Sequence, residues 1–409
     1  MVLSSVMKTR KKNSISGTPS KTSDNASESS ALPIPTDLII DIFSRLPLKT
    51  IAICRCVSKP WASTLRLQDF TQLFFTKSSA RPPQILFARQ KDGNLFFFSS
   101  PQPQNPDDNS SVSADPLMSF IGFGFDKSCI ISGLVHGLVC LVRSMAPVLC
   151  SPTTGQALVL PKVKTRRLNV KCLLGYDPVD KQFKVLSMTQ GWRDPRNDMV
   201  SEEHQVLTLG TGKMSWRTIQ CSIPHLYPRD DICIDGVLYY TSPYRSCMIV
   251  CFDVRSEKFR FIEVEGALRR AVLGFMVNCN GKLGLIVSEN KEGKVDVTSG
   301  RSARFKLWVL EDVDKQEWSE RTYVLPAEWK NVVGEELLKF VGLTRTNEIV
   351  LSSWDAVNPF YLFYFSLERN TVVRVEIQGV CMDGPCSWLA NLQPFLDHVE
   401  DVKLYAKIH

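Results

Sequence analysis

The sequence predicts a multidomain α+β protein, with a small helical module followed by a large all-β domain of the β-propeller type. Three observations carry this reading. Residues 34–61 place apolar side chains at helical spacing, broken by a proline and restarted at a serine. From about residue 118 onward, short apolar runs alternate with turn residues. Within those runs two local patterns recur, so the chain reads as imperfect units of a few tens of residues.

The helical module comes first. Pro35 fits a first helical turn, where its missing N–H has no partner to lose. Asp37 in that turn and Arg45 in the last complement the helix dipole. Leu38, Ile39, Ile42, Phe43 and Leu46 make one apolar stripe; Ile40 falls off it, so the helix is apolar on more than one side. Pro47 ends it. Leu48, Ile51, Ala52 and Cys54 indicate a second short helix. Ser58 caps a third, with Pro60 just inside its start and Trp61 on its inner face. Phe70, Leu73 and Phe74 mark one further turn. So small a three-helix unit hides its apolar surface poorly. Each large side chain left in water forgoes about 1.5–3 kcal/mol. The module therefore calls for a partner.

Gln84 to Phe98 reads as two strands around the turn Lys91-Asp92-Gly93-Asn94. Beyond it, one pattern places an aromatic six positions after a turn: Asp177 to Phe183, Gly210 to Trp216, Asp253 to Phe259 and Asp312 to Trp318. The other opens an apolar strand at a turn: His136-Gly137-Leu138, Asp235-Gly236-Val237, Asn280-Gly281-Lys282 and, without glycine, Thr346-Asn347-Glu348. Units of this kind cannot bury their faces alone and must stack on their neighbours. A β-sandwich is the alternative architecture. Trp216, Phe259 and Trp318 are expected to pack between sheets.

The expected boundaries are a disordered tail over 1–30, the helical module over 31–78, the β domain over 84–390 with a mobile loop at 100–116, and a C-terminal tail over 391–409. The chain has 409 residues, 44% hydrophobic and 22% charged, with a net charge of +7. No apolar run reaches the ~20 residues of a membrane span. The first residues, apolar before Lys8, Arg10, Lys11 and Lys12, have the wrong order for a secretory signal, so a cytoplasmic or nuclear location is expected. The thirteen cysteines are scattered and contain no Cys-x-x-Cys. Cys140, Cys150, Cys172, Cys233, Cys247, Cys251 and Cys279 read as small buried hydrophobes, and Cys381 and Cys386 as free thiols. The five histidines show no zinc spacing with them, so neither a metal nor a cofactor is expected. Lys162, Lys164, Arg166 and Arg167 lack the aromatic platforms or recognition helix of a nucleic-acid face.

No catalytic constellation emerges. Gly210-Thr211-Gly212-Lys213-Met214 imitates a phosphate loop, but Met214 stands where a Ser or Thr would hold magnesium, and residue 207 is Leu where glycine is required. His136 and His204 read as surface groups and Asp230-Asp231 as a solvated turn. There is no Gly-x-Ser-x-Gly elbow.

The run Ile34-Pro35-Thr36-Asp37-Leu38-Ile39, then Ile42-Phe43 with Arg45-Leu46-Pro47, then Arg55-Cys56-Val57-Ser58-Lys59-Pro60-Trp61 resembles an F-box, and its Pro47-Leu48-Lys49 link looks like the plant branch of that family. Three further segments, 133–141, Ser151-Pro152-Thr153-Thr154-Gly155 and 174–185, resemble the F-box-associated domain of plant F-box proteins, a kelch-like β domain; Val135-His136 stands where relatives often have Cys-Asn. The resemblance implies a non-catalytic substrate receptor of an SCF-type ubiquitin ligase. It implies docking on a Skp-family adaptor and, through it, a cullin, with a protein target on the β domain. Ile34, Pro35, Leu38, Ile39, Ile42, Phe43, Leu46, Val57 and Trp61 would form or support the adaptor-facing surface, with Phe43 and Trp61 as internal members. The competing reading is a propeller enzyme or binding protein whose helical start is only a structural cap.

Overall fold

The computed structural model describes residues 34–402 apart from 105, 107–109, 123, 125–130, 144, 167–168, 191–199, 202, 211, 213, 227–229, 243–246, 290–303, 356–357 and 381–391. The 1–30 tail and Cys381 and Cys386 lie outside the described residues.

Four helices open the chain: α1 (Thr36–Ser44), α2 (Leu48–Val57), α3 (Lys59–Thr64) and α4 (Gln68–Ser79). Pro35 is the N-cap of α1, one position earlier than expected, because its ψ of 140° is extended. Ser58 caps α3 as expected, its hydroxyl accepting from the Trp61 N–H at 3.3 Å. The single turn expected around Phe70 is a full helix. Phe70 and Phe74 lie one turn apart and are both fully buried, so α4 closes the core that three short helices cannot. Asp41 ties α1 to α4: Lys77 Nζ donates to its carboxylate at 2.6 Å and Arg45 Nη2 at 2.9 Å, which holds it below the usual carboxylate range.

Six sheets follow as blades. Blade 3 is Asn169–Asp177, Gln182–Gln190, Glu203–Thr208 and Arg217–Ile219. Blade 4 is Asp231–Ile234, Val237–Ser242, Met248–Asp253 and Phe259–Glu263. Blade 5 is Phe275–Cys279, Lys282–Glu289, Arg304–Asp312 and Glu317–Val324. Blade 6 is Leu338–Leu343, Glu348–Ser353, Phe360–Ser366 and Thr371–Gln378. Blade 2 has Val139–Arg143, Ala146–Ser151 and Gln156–Val159, with residues 131–135 running alongside Val139–Arg143 in the place of a first strand. Blade 1 joins Gln84–Lys91, Asn94–Pro101 and Asp115–Phe120 to Leu392–His398.

The first strands of blades 3, 4, 5 and 6 and Leu392–His398 neighbour one another in turn, which makes the ring of a propeller and not a sandwich. Each seam buries its own apolar cluster, such as Leu174, Phe183 and Trp216 at blade 3 or Phe305, Trp329 and Phe363 between blades 5 and 6. The turn-opened strands are second strands of blades 2, 4, 5 and 6. Their leading residues His136, Asp235, Asn280 and Asn347 hold left-handed φ of 45°, 44°, 52° and 59°. His, like Asn and Asp, is a residue type enriched at left-handed angles, so His136 keeps the turn.

Two expected boundaries change. Residues 391–409 are not simply a tail: Leu392–His398 is the innermost strand of blade 1, paired antiparallel with Gln84–Lys91. Blade 1 thus draws strands from both ends of the domain, which closes the ring. The 100–116 stretch holds ordered strands: Ser110–Ser113 pairs in parallel with Thr371–Gln378, and Asp115 opens the outer strand of blade 1. An edge strand needs main-chain hydrogen bonds and little apolar surface, so low hydrophobicity does not imply a loop. At this joint Gly379 (φ 88°) lies so near the Ala114 carbonyl that a Cβ would come within 2.7 Å of it.

Candidate partner-binding surfaces

The four helices have two faces. Inward, Phe43, Leu48, Ile51, Cys54, Leu65, Phe70 and Phe74 form a buried cluster, with Trp61 edge-on to Phe43 at 5.0 Å. Outward, Ile34, Leu38, Ile42 and Val57 are 60%, 55%, 51% and 59% exposed, and Ile53 on α2 is 65% exposed. Pro35 is exposed; Ile39, Leu46 and Trp61 are half-buried. Of the nine residues singled out in the sequence, Phe43 sits in the internal core and supports the face from beneath. Ile53 was missed, because α2 was read from Leu48, Ile51, Ala52 and Cys54.

The inner core is finished by the far end of the chain. Val402 is fully buried among the helical side chains, and Arg55 Nη2 donates to its carbonyl at 2.7 Å and to that of Leu65 at 3.2 Å. Arg81 lies 3.7 Å from Glu400 and stacks over the Phe74 ring. Phe75 of α4 meets His136, whose ring centroid is 4.0 Å from that of Tyr176. All these contacts fall at the end of the propeller where the first strands of the blades finish. The helices are therefore a fixed extension of blades 1, 2 and 3.

At the opposite end, where those strands begin, polar groups crowd the ring. Lys171 Nζ is 3.9 Å from the Asp231 carboxylate, and both side chains are buried. The Gly133 N–H donates to Asp231, and the Met276 N–H to Asp230 at 2.9 Å. Burial pushes Asp230 up to about 6 and lowers Lys171. The expected solvated turn is thus a buried knot joining blades 2, 3, 4 and 5, because the ring places the start of every first strand against its neighbours. Lys339 Nζ donates to the Leu392 carbonyl at 3.0 Å, joining blade 6 to blade 1 in the same way. Beside it Trp354 and Leu337 stand 54% and 46% exposed, held together by the Trp354 N–H donating to the Leu337 carbonyl at 2.7 Å.

His204, expected at the surface, is 1% exposed. Glu203-His204-Gln205 reads as a polar run, but it lies on the third strand of blade 3, flanked on both sides and covered by the Phe259 ring at 5.2 Å. Burial pushes its imidazole down to about 4. Cys221 and His225 lie next to it. The spacing Cys221-x-x-x-His225 is the one sequence signal of this grouping. Among the described residues the expected buried cysteines Cys140, Cys150, Cys172 and Cys251 are buried, and Cys233, Cys247 and Cys279 are half-buried. Burial pushes Cys172 and Cys251 up to about 12, the opposite of an activated nucleophile.

Residues 32–73 match the family model of the F-box domain, and residues 84–399 that of the F-box associated beta propeller domain. The chain is 48% identical to the Arabidopsis thaliana F-box protein At5g65850 over 396 residues, 95% of this chain and 94% of that protein. It is 49% identical to the Arabidopsis thaliana F-box protein DOR over 389 residues, 91% of this chain and 94% of that protein.

Proposed function

We infer the function of this chain from the family to which it belongs, the F-box proteins that carry an F-box-associated β-propeller domain. Members of this family are, in general, substrate receptors of SCF-type ubiquitin ligases and not enzymes. For this chain we read the outer face of the helices as the dock for a Skp-family adaptor and, through it, a cullin. A target protein is held on the propeller and carried to ubiquitination and degradation. The mechanism is proximity: a target lysine and the conjugating enzyme meet at raised effective concentration, with no chemistry on this chain. Its place of action is the cytoplasm or the nucleus.

One observation carries the reading. Ile34, Leu38, Ile42 and Val57 stay in water although the same helices bury their inner face completely. Helices serving only as a cap would have these side chains covered by the chain itself. These side chains are already about half covered, so covering three of them by a partner is worth roughly 2–5 kcal/mol before the cost of association. Leu38→Asp with Ile42→Asp changes two exposed positions and should leave the melting temperature nearly unchanged. The same pair should abolish co-purification with a Skp-family adaptor. Adaptor recovery equal to that of the wild type removes the reading.

A further inference from the structure

We propose that His204, Cys221 and His225 bind a single divalent transition-metal ion of the zinc class. Their donor atoms all lie within 4.8 Å of one another, and Cys221 Sγ is 3.7 Å from His225 Nδ1. A tetrahedral zinc with bonds of about 2.0–2.3 Å holds its ligands roughly 3.5 Å apart. To reach that spacing the most distant donors need to draw together by about 1 Å.

A second observation points to a ligand. Neither ring nitrogen of the buried His204 has a hydrogen-bond partner among the described residues. A buried polar group left unpaired is destabilising, and a metal ion supplies the missing partner. Two imidazoles and a thiolate suit zinc and disfavour magnesium or calcium, which take oxygen. The surroundings also contain an orienting group: the Tyr240 hydroxyl, fully buried in blade 4, lies 2.7 Å from His225 Nε2.

The protons balance. In the metal-free geometry His225 Nδ1–H donates to the Ile223 carbonyl at 2.9 Å, so Nε2 accepts from Tyr240. On binding, Nδ1 turns to the ion, its proton passes to Nε2, and Nε2–H donates to the Tyr240 oxygen. The Cys221 thiol releases one proton to solvent. Cys221 is partly exposed, which gives the ion its way in and leaves the fourth position to water. His204 sits on the third strand of blade 3, Cys221 beyond the outer strand and His225 on a short strand paired with Val200–Ser201, so the ion clips this excursion onto the seam with blade 4.

The test uses the full chain, loaded with zinc alone, dialysed against metal-free buffer and read by elemental mass spectrometry. The wild type should retain one equivalent. Cys221→Ser and His204→Phe should bind at least tenfold more weakly, and Tyr240→Phe about 10–100-fold more weakly. Cobalt in place of zinc should give the wild type a thiolate charge-transfer band that Cys221→Ser lacks. No retained zinc in the wild type, or equal retention in Cys221→Ser, overturns the proposal. Cys221, being half-exposed, decides the matter even where the buried His204→Phe fails to fold.

Discussion

At the scale of the residue, the positions hardest to read are polar groups that the ring buries. Asp230 is raised to about 6 because burial penalises its charged form more than the Met276 N–H and Lys171 compensate. The sign of its effect on stability follows. Between an unfolded value near 4 and a folded value near 6, the native chain binds more of this proton than the unfolded chain. Its contribution is therefore most favourable below about pH 4 and is lost as pH rises to about 6. Asp230→Asn removes the titration and keeps an oxygen for the Met276 N–H. Relative to the wild type, the variant should gain on the order of 2 kcal/mol between pH 4 and pH 7, read from denaturant unfolding at each pH. A difference between the two chains that stays flat across that window means the Asp230 carboxyl is solvated. His204 works in the opposite direction: its folded value of about 4 lies below the ordinary 6.5, so its contribution is lost as pH falls from about 6.5 to 4.

At the scale of the element, α1 was legible because its stripe, its first-turn acid and its proline stop agree, and α3 because Ser58 and Pro60 mark its start. The turn-opened strands were legible for the same reason: Asp235-Gly236 and Asn280-Gly281 place residues that tolerate left-handed angles where hairpins need them. Ser110–Ser113 and Leu392–His398 were not legible, since each is a strand by virtue of partners more than 250 positions away in the chain. The same long-range closure hid the candidate metal site. His204 and Cys221 are 17 residues apart and meet only because blade 3 folds its outer strand back beside its third. Closure also makes a prediction about the last described residue. Val402 fills the core of a helical module that begins at the other end of the chain. Val402→Ala should cost about 2 kcal/mol of local stability. Hydrogen exchange should quicken in α2 and α4 while Ile249 and Val250 in blade 4 keep their protection. Uniform exchange in both regions, or no change in either, means the two parts do not share a core.

At the scale of the whole molecule, the helices and the exposed Trp354–Leu337 pair lie at opposite ends of the propeller. The helices occupy the end where the first strands finish, held by Arg55, Arg81 and the Phe75–His136 contact. Trp354 and Leu337 stand at the other end, beside the start of the first strand of blade 6. Under the proposed function, a rigid body that docks the adaptor at one end and holds a target at the other would set the distance between them, which proximity catalysis requires. An exposed tryptophan is a residue type enriched in interface hot spots, where a single truncation costs about 2 kcal/mol or more of binding. Trp354→Ala together with Leu337→Ser should therefore leave adaptor co-purification intact and reduce capture of the target at least about thirtyfold. The comparison is a quantitative affinity purification of wild type and variant, normalised to the recovered chain itself, with Leu38→Asp plus Ile42→Asp as the reciprocal control that loses adaptor and keeps target. If both partners fall together in the Trp354 variant, the propeller end is coupled to the helices and the two jobs are not separate. If the target is unaffected, its dock lies elsewhere on the propeller.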